Sequence, residues 1–375
     1  MSKLSIKFIE PPEDSKIKTI VASVSEPFNK DIQIKEFPLT FDNLLLRTIV
    51  LYGMTSSGKS FLIKNILYKI KKYVQNTIVF CPTECSKDSF YSNIINPGFI
   101  FKHLGNVDYD DKLSESDKKE VVNKQLHSII NWQMERSKYE DEVNQQYDFI
   151  KSMYDKYCCK DPKNVKFIEK VEKRISEIEN PFRKDLLKEE LLYRHVKNYV
   201  YKYRFTIFRK EKLSTLQTNV INKCNLNSNL LIIFDDAANE LSMYHKLDSL
   251  NELFTQGRHG KITTIITCQS DKDLPPKMRK NTRIKIFTSN DVATSGFNSK
   301  ADGFPPLIQK TVGYIIDKVF SVKYRKLFYL VENEASERFF HFTAKHVDDF
   351  KMKISKKTKK FLDSNRKKEE KILID

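Results

Sequence analysis

The chain has 375 residues and carries 66 lysine and arginine side chains against 49 aspartate and glutamate side chains, a formal net charge of +17. This length can bury a full hydrophobic core, and the cationic excess predicts a polyanionic partner such as DNA or RNA, unless it only aids solubility. No run approaches the roughly 20 apolar residues of a membrane span, and the chain opens without the apolar stretch of a secretory signal. We therefore expect a soluble intracellular protein without a membrane span.

The six cysteines indicate a reducing compartment. They form no C-x-x-C pair, and no second cysteine pair or histidine pair completes a zinc site. Cys81 and Cys268 lie at the ends of apolar runs, where cysteine acts as a small buried hydrophobic residue.

The first elements along the chain are predicted strands. Residues 1–43 contain short alternating stretches, such as Ile32–Phe37, that are broken by prolines, and they predict a small β-rich lead-in. The apolar run from Leu44 to Tyr52 is typical of a buried strand. After the first helix, a further strand is predicted at Thr77–Cys81, and a short apolar run follows at Phe99–Phe101.

Residues 53–60 read Gly-Met-Thr-Ser-Ser-Gly-Lys-Ser, a complete G-x-x-x-x-G-K-[ST] phosphate-binding loop. The loop lies between a predicted strand and apolar residues at helical spacing, which is the context that the motif requires. Gly53 and Gly58 let the backbone curl around a β-phosphate. Lys59 would reach the β/γ oxygens, and Ser60 would ligate Mg²⁺. The predicted phosphate-binding residues are Gly53, Met54, Thr55, Ser56, Ser57, Gly58, Lys59 and Ser60.

A large helical insertion is predicted after the first strands. The stretch from Asn106 to Gln256 contains no glycine, its charged residues are dense, and its apolar residues recur at helical spacing. The 176 positions from Lys59 to Asp235 exceed what a compact phosphate-loop domain needs. Within the insertion, the alternation from Tyr199 to Phe205 favours a strand, either half-buried or in contact with nucleic acid.

The second motif is an apolar run, Leu230–Phe234, that ends in Asp235 and Asp236. In a chain with a phosphate loop, such a strand is typical of a Walker B motif. Asp235 is predicted to hold Mg²⁺ indirectly, through a water and Ser60, and Asp236 to orient or deprotonate the attacking water. Glu240, four residues later, is the other candidate base.

The third motif runs from Gly257 to Gln269. Its apolar part, Ile262–Thr267, predicts another buried strand, whose end presents Gln269 as a sensor of the γ-phosphate. Arg258 lies eleven residues before Gln269. An arginine there could neutralise transition-state charge on the nucleotide of a neighbouring subunit, and such fingers are worth about 10³–10⁵ in rate. A surface position or a structural ion pair is the alternative.

The C-terminal part predicts a hairpin and a basic tail. Tyr324–Val331 and Arg338–Thr343 are the two predicted strands. From Lys351 to Lys371, ten residues are basic and three are acidic. This tail is either a DNA-binding arm or a solvated helix end.

Together these motifs resemble the FtsK–HerA superfamily of DNA-pumping ATPases, and most of all the genome-packaging ATPases of large double-stranded DNA viruses. The phosphate loop, the Phe-Asp-Asp end of the Walker B strand, the Gly-Arg-x-x-x-Ile…Gln strand and the following strand Thr282–Phe287 carry the resemblance. It implies ATP and Mg²⁺ as ligands. The catalytic residues that it implies are Lys59, Asp236, Arg258 and Gln269, with Arg279 and Arg283 as rivals of Arg258 for the role in trans.

The resemblance implies an α/β fold: a RecA-like (ASCE) P-loop NTPase core with a mainly parallel central sheet, a large helical insertion and a C-terminal β-hairpin with a basic tail. We assign the core to 44–105 and 215–300, the insertion to 106–214, and the hairpin with its tail to 301–375. The family also implies a ring of five or six subunits around double-stranded DNA, with capsid or portal-vertex proteins as partners. We expect this ring in the host cytoplasm or viral factory, or associated with the virion.

Three functions follow as hypotheses. The first is a motor that packages viral DNA into a preformed capsid, and the second is a HerA-like motor in DNA processing or transfer. Co-purification with capsid protein or with a nuclease would separate them. The third is a nucleotide-gated assembly adaptor with little turnover, whose assembly would survive the Asp236→Asn substitution.

Overall fold

The computed structural model describes residues 6–9, 32–84, 90–106, 113–298, 306–331 and 338–354, with the backbone alone for 6–9, 32 and 306–308. The predicted basic tail lies outside the described residues from position 355 onward. Within the described ranges, no helix combines the length and the apolar character that crossing a bilayer demands.

The described strands form one mixed sheet. They are β1 (Ile6–Ile9), β2 (Ile32–Glu36), β3 (Thr48–Tyr52), β4 (Asn76–Phe80), β5 (Ile100–Phe101), β6 (Leu230–Phe234), β7 (Ile262–Cys268), β8 (Ile284–Phe287), β9 (Arg325–Leu330) and β10 (Phe339–Thr343). Their order across the sheet is β1-β2-β10-β9-β8-β3-β7-β6-β4-β5. Every described pair is parallel except the two that β9 makes with β8 and β10. The predicted α/β class with a mainly parallel sheet is confirmed.

The described helices cover both faces of this sheet. They are α1 (Phe41–Leu44), α2 (Lys59–Ile70), α3 (Glu115–Gln145), α4 (Tyr147–Tyr157), α5 (Pro162–Ser176), α6 (Pro181–Leu187), α7 (Arg194–Lys210), α8 (Thr215–Lys223), α9 (Ala238–Met243), α10 (Asp248–Gln256), α11 (Pro276–Lys280), α12 (Asn290–Asn298) and α13 (Pro306–Phe320). Alternate residues of a strand face opposite cores, as the period of two requires. Leu231 and Ile233 of β6 pack on the side of α2, while Ile232 and Phe234 pack on the side of α10.

Two local expectations were wrong. The strand before the phosphate loop begins at Thr48 rather than Leu44, because Leu44 ends helix α1 and Leu46 takes a left-handed φ of 59°. The predicted strand Tyr199–Phe205 lies inside helix α7. The buried residues of α7 include Val196 and Val200, which are one helical turn apart. Packing against neighbouring helices therefore outweighs the aromatic alternation.

The hairpin prediction is confirmed, since β9 and β10 are antiparallel neighbours. The hairpin lies within the central sheet, because β9 pairs with β8 and β10 pairs with β2. The sheet therefore joins the two ends of the described chain to the strands of the phosphate site, and β9 brings C-terminal side chains beside the phosphate loop.

A buried charge cluster joins the inserted helices to the sheet. Glu140 of α3 lies 3.4 Å from Arg194 of α7, 3.6 Å from Lys197 and 3.3 Å from Lys261, which precedes β7. Burial alone would raise the pKa of Glu140, but Arg194, Lys261 and Lys197 together lower it to about 2. The ionised carboxylate is therefore the form that the fold stabilises.

Replacing Glu140 with glutamine should destabilise the protein by about 3–5 kcal/mol, because three buried cations lose their shared carboxylate. The folded pKa of Glu140 lies below its ordinary value of 4.5. The contribution is therefore complete above that pH and is lost as the pH falls toward 2. Urea unfolding of both proteins between pH 7 and pH 3 measures the difference. Asp141→Asn is the matched control, because exposed Asp141 also contacts Lys261 yet should contribute less than about 1 kcal/mol.

Candidate active site

The phosphate loop connects β3 to α2 at the edge of the sheet where the parallel strands end, which we call the carboxyl edge (Tyr52, Phe234 and Cys268). Gly53 donates its N–H to Cys268 O (3.0 Å), which ties the loop to β7. A Cβ on Gly53 would lie 1.8 Å from Thr288 Oγ1, so only glycine fits. Gly58 has a φ of 87° and caps α2, so the helix N-terminus points its N–H groups into the loop.

Lys59 spans the mouth of the phosphate loop. Its ammonium donates to Gly53 O (2.5 Å) and Met54 O (2.9 Å). Burial lowers the pKa of Lys59, and the negative charges of Asp235 and Asp236 oppose that shift. Lys59 therefore interacts with the phosphate loop through hydrogen bonds and with Asp235 and Asp236 through their charge. Thr55, Ser56 and Ser60 are exposed and complete the open side of the loop.

Asp235 follows β6 and is held by two hydroxyl groups. Thr267 Oγ1 donates to Oδ1 (2.5 Å), and Tyr91 donates its hydroxyl to Oδ2 (2.9 Å). Burial raises the pKa of Asp235, while these two hydrogen bonds favour its ionised form. Thr267 also accepts the N–H of Asp236 (3.0 Å), so one hydroxyl aligns both carboxylates.

Tyr91→Phe should weaken the ionised state of Asp235, because the hydroxyl donates to the carboxylate rather than to its protonated form. The pKa of Asp235 should rise further, and the acidic limb of the turnover–pH profile should move to higher pH. At neutral pH the apparent Mg²⁺ affinity should fall about 10-fold. Tyr154→Phe, in a buried part of the insertion, should leave the profile unchanged. An identical acidic limb in Tyr91→Phe and wild type would contradict this assignment.

The two candidate bases, Asp236 and Glu240, differ in their exposure to solvent. Asp236 is exposed at the carboxyl edge and has a left-handed φ of 56°, a conformation that aspartate tolerates better than most residues. Glu240 is buried, and its two oxygens contact His103 Nδ1 (2.7 Å) and the N–H of Leu104 (2.7 Å). The structure therefore leaves Asp236 free to face a nucleotide and places Glu240 in a structural contact.

Gln269 directly follows β7, and its side chain is exposed at the carboxyl edge. The neighbouring Cys268 carbonyl accepts the N–H of Gly53, so Gln269 lies next to the start of the phosphate loop. Its own N–H is bound by Asp273 (3.0 Å), which fixes the turn after the strand. The sheet thus brings the phosphate loop, both aspartates and Gln269 to one edge.

Arg258 lies at the opposite, amino edge of the sheet, in the turn between α10 and β7. Its side chain is exposed, with the guanidinium 5.7 Å from the ring centre of Phe182. β7 spans seven residues, roughly 20 Å at the rise of a strand. Arg258 is therefore remote from the phosphate loop of its own subunit.

The two rival arginines have different surroundings. Arg279 on α11 donates to Asp271 (3.3 Å), an ion pair within the chain. The backbone N–H of Arg283 donates to Thr48 O (2.9 Å) at the start of β3. Arg283 therefore lies at the same amino edge as Arg258, whereas Arg279 already has a carboxylate partner.

The inserted helix α3 holds the turn that carries Arg258. Gln133 donates to Gly260 O (2.5 Å), Ser137 donates to His259 O (3.3 Å), and Lys261 donates to Glu140 (3.3 Å). The α3 residues in these contacts are Gln133, Ser137 and Glu140, which lie on one helix face because they are four and three positions apart. Helix α3 thus holds the segment directly after Arg258, while the Arg258 side chain is exposed.

The residues at the carboxyl edge fit a hard divalent cation. Asp235 supplies a half-buried carboxylate and Ser60 an exposed hydroxyl at the start of α2, which are oxygen donors that Mg²⁺ accepts. The described residues hold no group of three or more His, Cys, Asp or Glu side chains arranged as a metal site. Phosphate oxygens and water would therefore complete the shell, as is usual for Mg²⁺ with a nucleotide.

The strand order decides between P-loop architectures. One strand, β7, separates the phosphate-loop strand β3 from the Walker B strand β6, and this strand ends in the polar Gln269. This is the RecA-like arrangement that the resemblance implied, with the FtsK–HerA pattern of Arg258 before the strand and Gln269 after it. The fold is an α/β P-loop NTPase fold with a mainly parallel sheet.

The chain resembles known proteins in sequence and in structure. No protein-family model matches the chain. The uncharacterized protein B354L of African swine fever virus is 29% identical over 314 residues, which cover 83% of this chain and 85% of the relative. The chain has a homologue in a large DNA virus.

Three solved structures align with the chain at low identity. The conjugation coupling protein TcpA of pCW3 is 15% identical with a TM-score of 0.36, covering 90% of this chain and 68% of TcpA. The genome packaging NTPase B204 of Sulfolobus turreted icosahedral virus 2 is 14% identical with a TM-score of 0.36, and the alignment covers 80% of this chain and 98% of B204. The bacterial conjugative coupling protein TrwB is 11% identical with a TM-score of 0.35, and the alignment covers 90% of this chain and 92% of the TrwB chain. The fold assignment rests on the strand order and motifs of this chain.

Four residues that contact the site were not predicted from the sequence. Tyr91 and Thr267 hold Asp235, Thr288 donates to Ser57 Oγ (2.9 Å), and Lys326 donates to Ser57 O (2.8 Å). Thr267 and Thr288 each lie at or just after the end of a strand beside the phosphate loop, which is a positional signal. Tyr91 and Lys326 come from distant segments, and only the tertiary fold brings them to the site.

Proposed function

We propose that this chain is an ATP-driven double-stranded DNA translocase that packages a viral genome into a preformed capsid. The observation that carries the proposal is the division of the site between two edges of one sheet. The phosphate loop, Asp235, Asp236 and Gln269 lie at the carboxyl edge, and exposed Arg258 lies at the amino edge. A ring of subunits would bring these two edges together.

Within one subunit, the N–H groups of Gly53–Ser60 bind the β-phosphate at the start of α2. Lys59 leaves the carbonyls of Gly53 and Met54 and binds the β/γ oxygens. Bound Mg²⁺, held by Ser60 and indirectly by Asp235, would neutralise phosphate charge. Asp236 orients the attacking water and accepts its proton, and Gln269 aligns the water against the γ-phosphate. The accessible Asp236 carboxylate supports this assignment over the buried Glu240.

Between subunits, Arg258 approaches the γ-phosphate of the neighbouring subunit and stabilises the charge of the transition state. Its distance from the phosphate loop of its own chain supports a role in trans. The three contacts of α3 with the turn around Arg258 hold that backbone in place, which lowers the ordering cost of the transition-state contact.

The substrate proposal rests on charge and on the viral relative. A net charge of +17 favours a polyanion, and a motor that tracks duplex DNA should bind phosphates without base preference. The relative B354L belongs to a virus with a large DNA genome, a setting in which DNA must be moved into capsids. We propose a homo-oligomeric ring of five or six subunits as the working form, with capsid or portal-vertex proteins as partners.

Triplex displacement tests translocation directly. The purified protein should strip a third strand from long duplex DNA only with hydrolysable ATP, and Asp236→Asn should bind ATP without displacing the strand.

Pull-down from infected cells then separates the two motors: recovery of capsid protein supports packaging, and recovery of a nuclease supports DNA processing. Nucleotide-dependent assembly without strand displacement would favour the adaptor and overturn the motor.

A further inference from the structure

A second lysine lies beside the phosphate loop, and it comes from the C-terminal hairpin. Lys326 of β9 is 7% exposed. Its ammonium donates to Ser57 O (2.8 Å) and to Thr288 O (3.3 Å). The same nitrogen lies 3.6 Å from the position that a Cβ on Gly58 would occupy. Lys326 is therefore in contact with the turn of the loop that precedes α2.

Among the residues that the structure describes, no carboxylate forms an ion pair with Lys326, and its two acceptors are neutral carbonyls. An ammonium has three donors, so the third donor is not used by a described residue. A buried cation without a counter-ion is costly, and burial alone lowers the pKa of Lys326. An anion in the loop would remove that cost.

We propose that Lys326 is a second cation of the phosphate site, fixed behind the loop, and that it binds nucleotides in proportion to the charge of their phosphate chain. The proposal rests on the proposed nucleotide binding. Lys59 spans the mouth of the loop through Gly53 O and Met54 O and must move to reach a phosphate. Lys326 is already held by Ser57 and Thr288, so its positive charge is preorganised.

A purely structural role would require only a hydrogen-bond donor to Ser57 O, whereas the proposed role requires charge. Lys326→Gln keeps a donor and removes the charge, and Lys326→Arg keeps both. Affinities for fluorescent ATP, ADP and AMP analogues should show a loss of ~10-fold or more for ATP and ADP in Lys326→Gln, with little change for AMP. Lys326→Arg should keep the wild-type preference for the triphosphate.

Lys64→Gln is the matched control, because Lys64 pairs with Asp349 on the surface of α2. Urea unfolding identifies any variant that fails to fold, and each of the two Lys326 variants decides independently. Equal losses for the three nucleotides in Lys326→Gln, or loss of the triphosphate preference in Lys326→Arg, would overturn the proposal. If wild type binds ATP no better than Lys59→Ala does, the proposed nucleotide binding is wrong. If wild type binds ATP and Lys326→Gln binds it equally well, only the proposed role of Lys326 is wrong.

Discussion

Rings built only from Arg258→Ala subunits are expected to bind ATP as tightly as wild type and to hydrolyse it about 10³- to 10⁵-fold more slowly. The substitution leaves the phosphate loop intact, because Arg258 lies at the amino edge and the loop lies at the carboxyl edge of the sheet. It removes the guanidinium that the proposed mechanism places against the nucleotide of the neighbouring subunit. Equilibrium binding and single-turnover hydrolysis measure the two effects separately.

Mixing subunits tests whether the arginine acts in trans. Asp236→Asn subunits lack the base but keep Arg258, and Arg258→Ala subunits keep the base. A mixed ring should therefore regain turnover at interfaces where an intact Arg258 meets an intact Asp236. Arg283→Ala is the informative comparison, since Arg283 directly precedes β8 at the same amino edge. If mixing restores turnover for Arg283→Ala and at no ratio for Arg258→Ala, Arg283 is the finger.

Lys59→Ala should reduce ATP turnover by at least about 10²-fold and should weaken ATP binding. The ammonium donates to the carbonyls of Gly53 and Met54, and the negative charges of Asp235 and Asp236 raise its pKa against the effect of burial. Alanine keeps the helix start and the backbone N–H groups, so the fold should persist. Isothermal titration with ATP and a turnover assay check both expectations.

Lys64→Ala provides the control for Lys59→Ala. Lys64 lies on the same helix and pairs with an exposed carboxylate at 2.9 Å, an interaction worth at most about 1 kcal/mol. Turnover should stay at the wild-type level. Full activity of Lys59→Ala, or equal losses in both variants, would remove the phosphate loop from the mechanism.

The sequence predicted the parts of the site that follow from local rules. The phosphate loop, the paired aspartates after an apolar strand and the glutamine after another strand are short motifs, and parallel strands bring their ends to one edge. The helical character of the segment before β6 was predictable because its apolar residues recur at helical spacing and the positions from Asn106 to Gln256 lack glycine. Its status as an insertion stays a prediction. The catalytic roles of these residues remain predictions.

Contacts between distant segments were beyond sequence reasoning. Tyr91 reaches Asp235 across 144 positions, and Lys326 reaches Ser57 across 269. Neither residue carries a motif, because its position depends on which strands become neighbours. The misassigned Tyr199–Phe205 segment shows the same limit: its alternation matches a strand, and only packing within the insertion makes it a helix.

ATP turnover of the purified protein with and without long duplex DNA tests the central claim most directly, with Lys59→Ala as the blank. A DNA-coupled motor should show strong stimulation that falls as salt is added, because phosphate contacts release counterions. Slow turnover that is indifferent to DNA, at protein concentrations where rings form, would contradict the translocase and favour a nucleotide-gated adaptor.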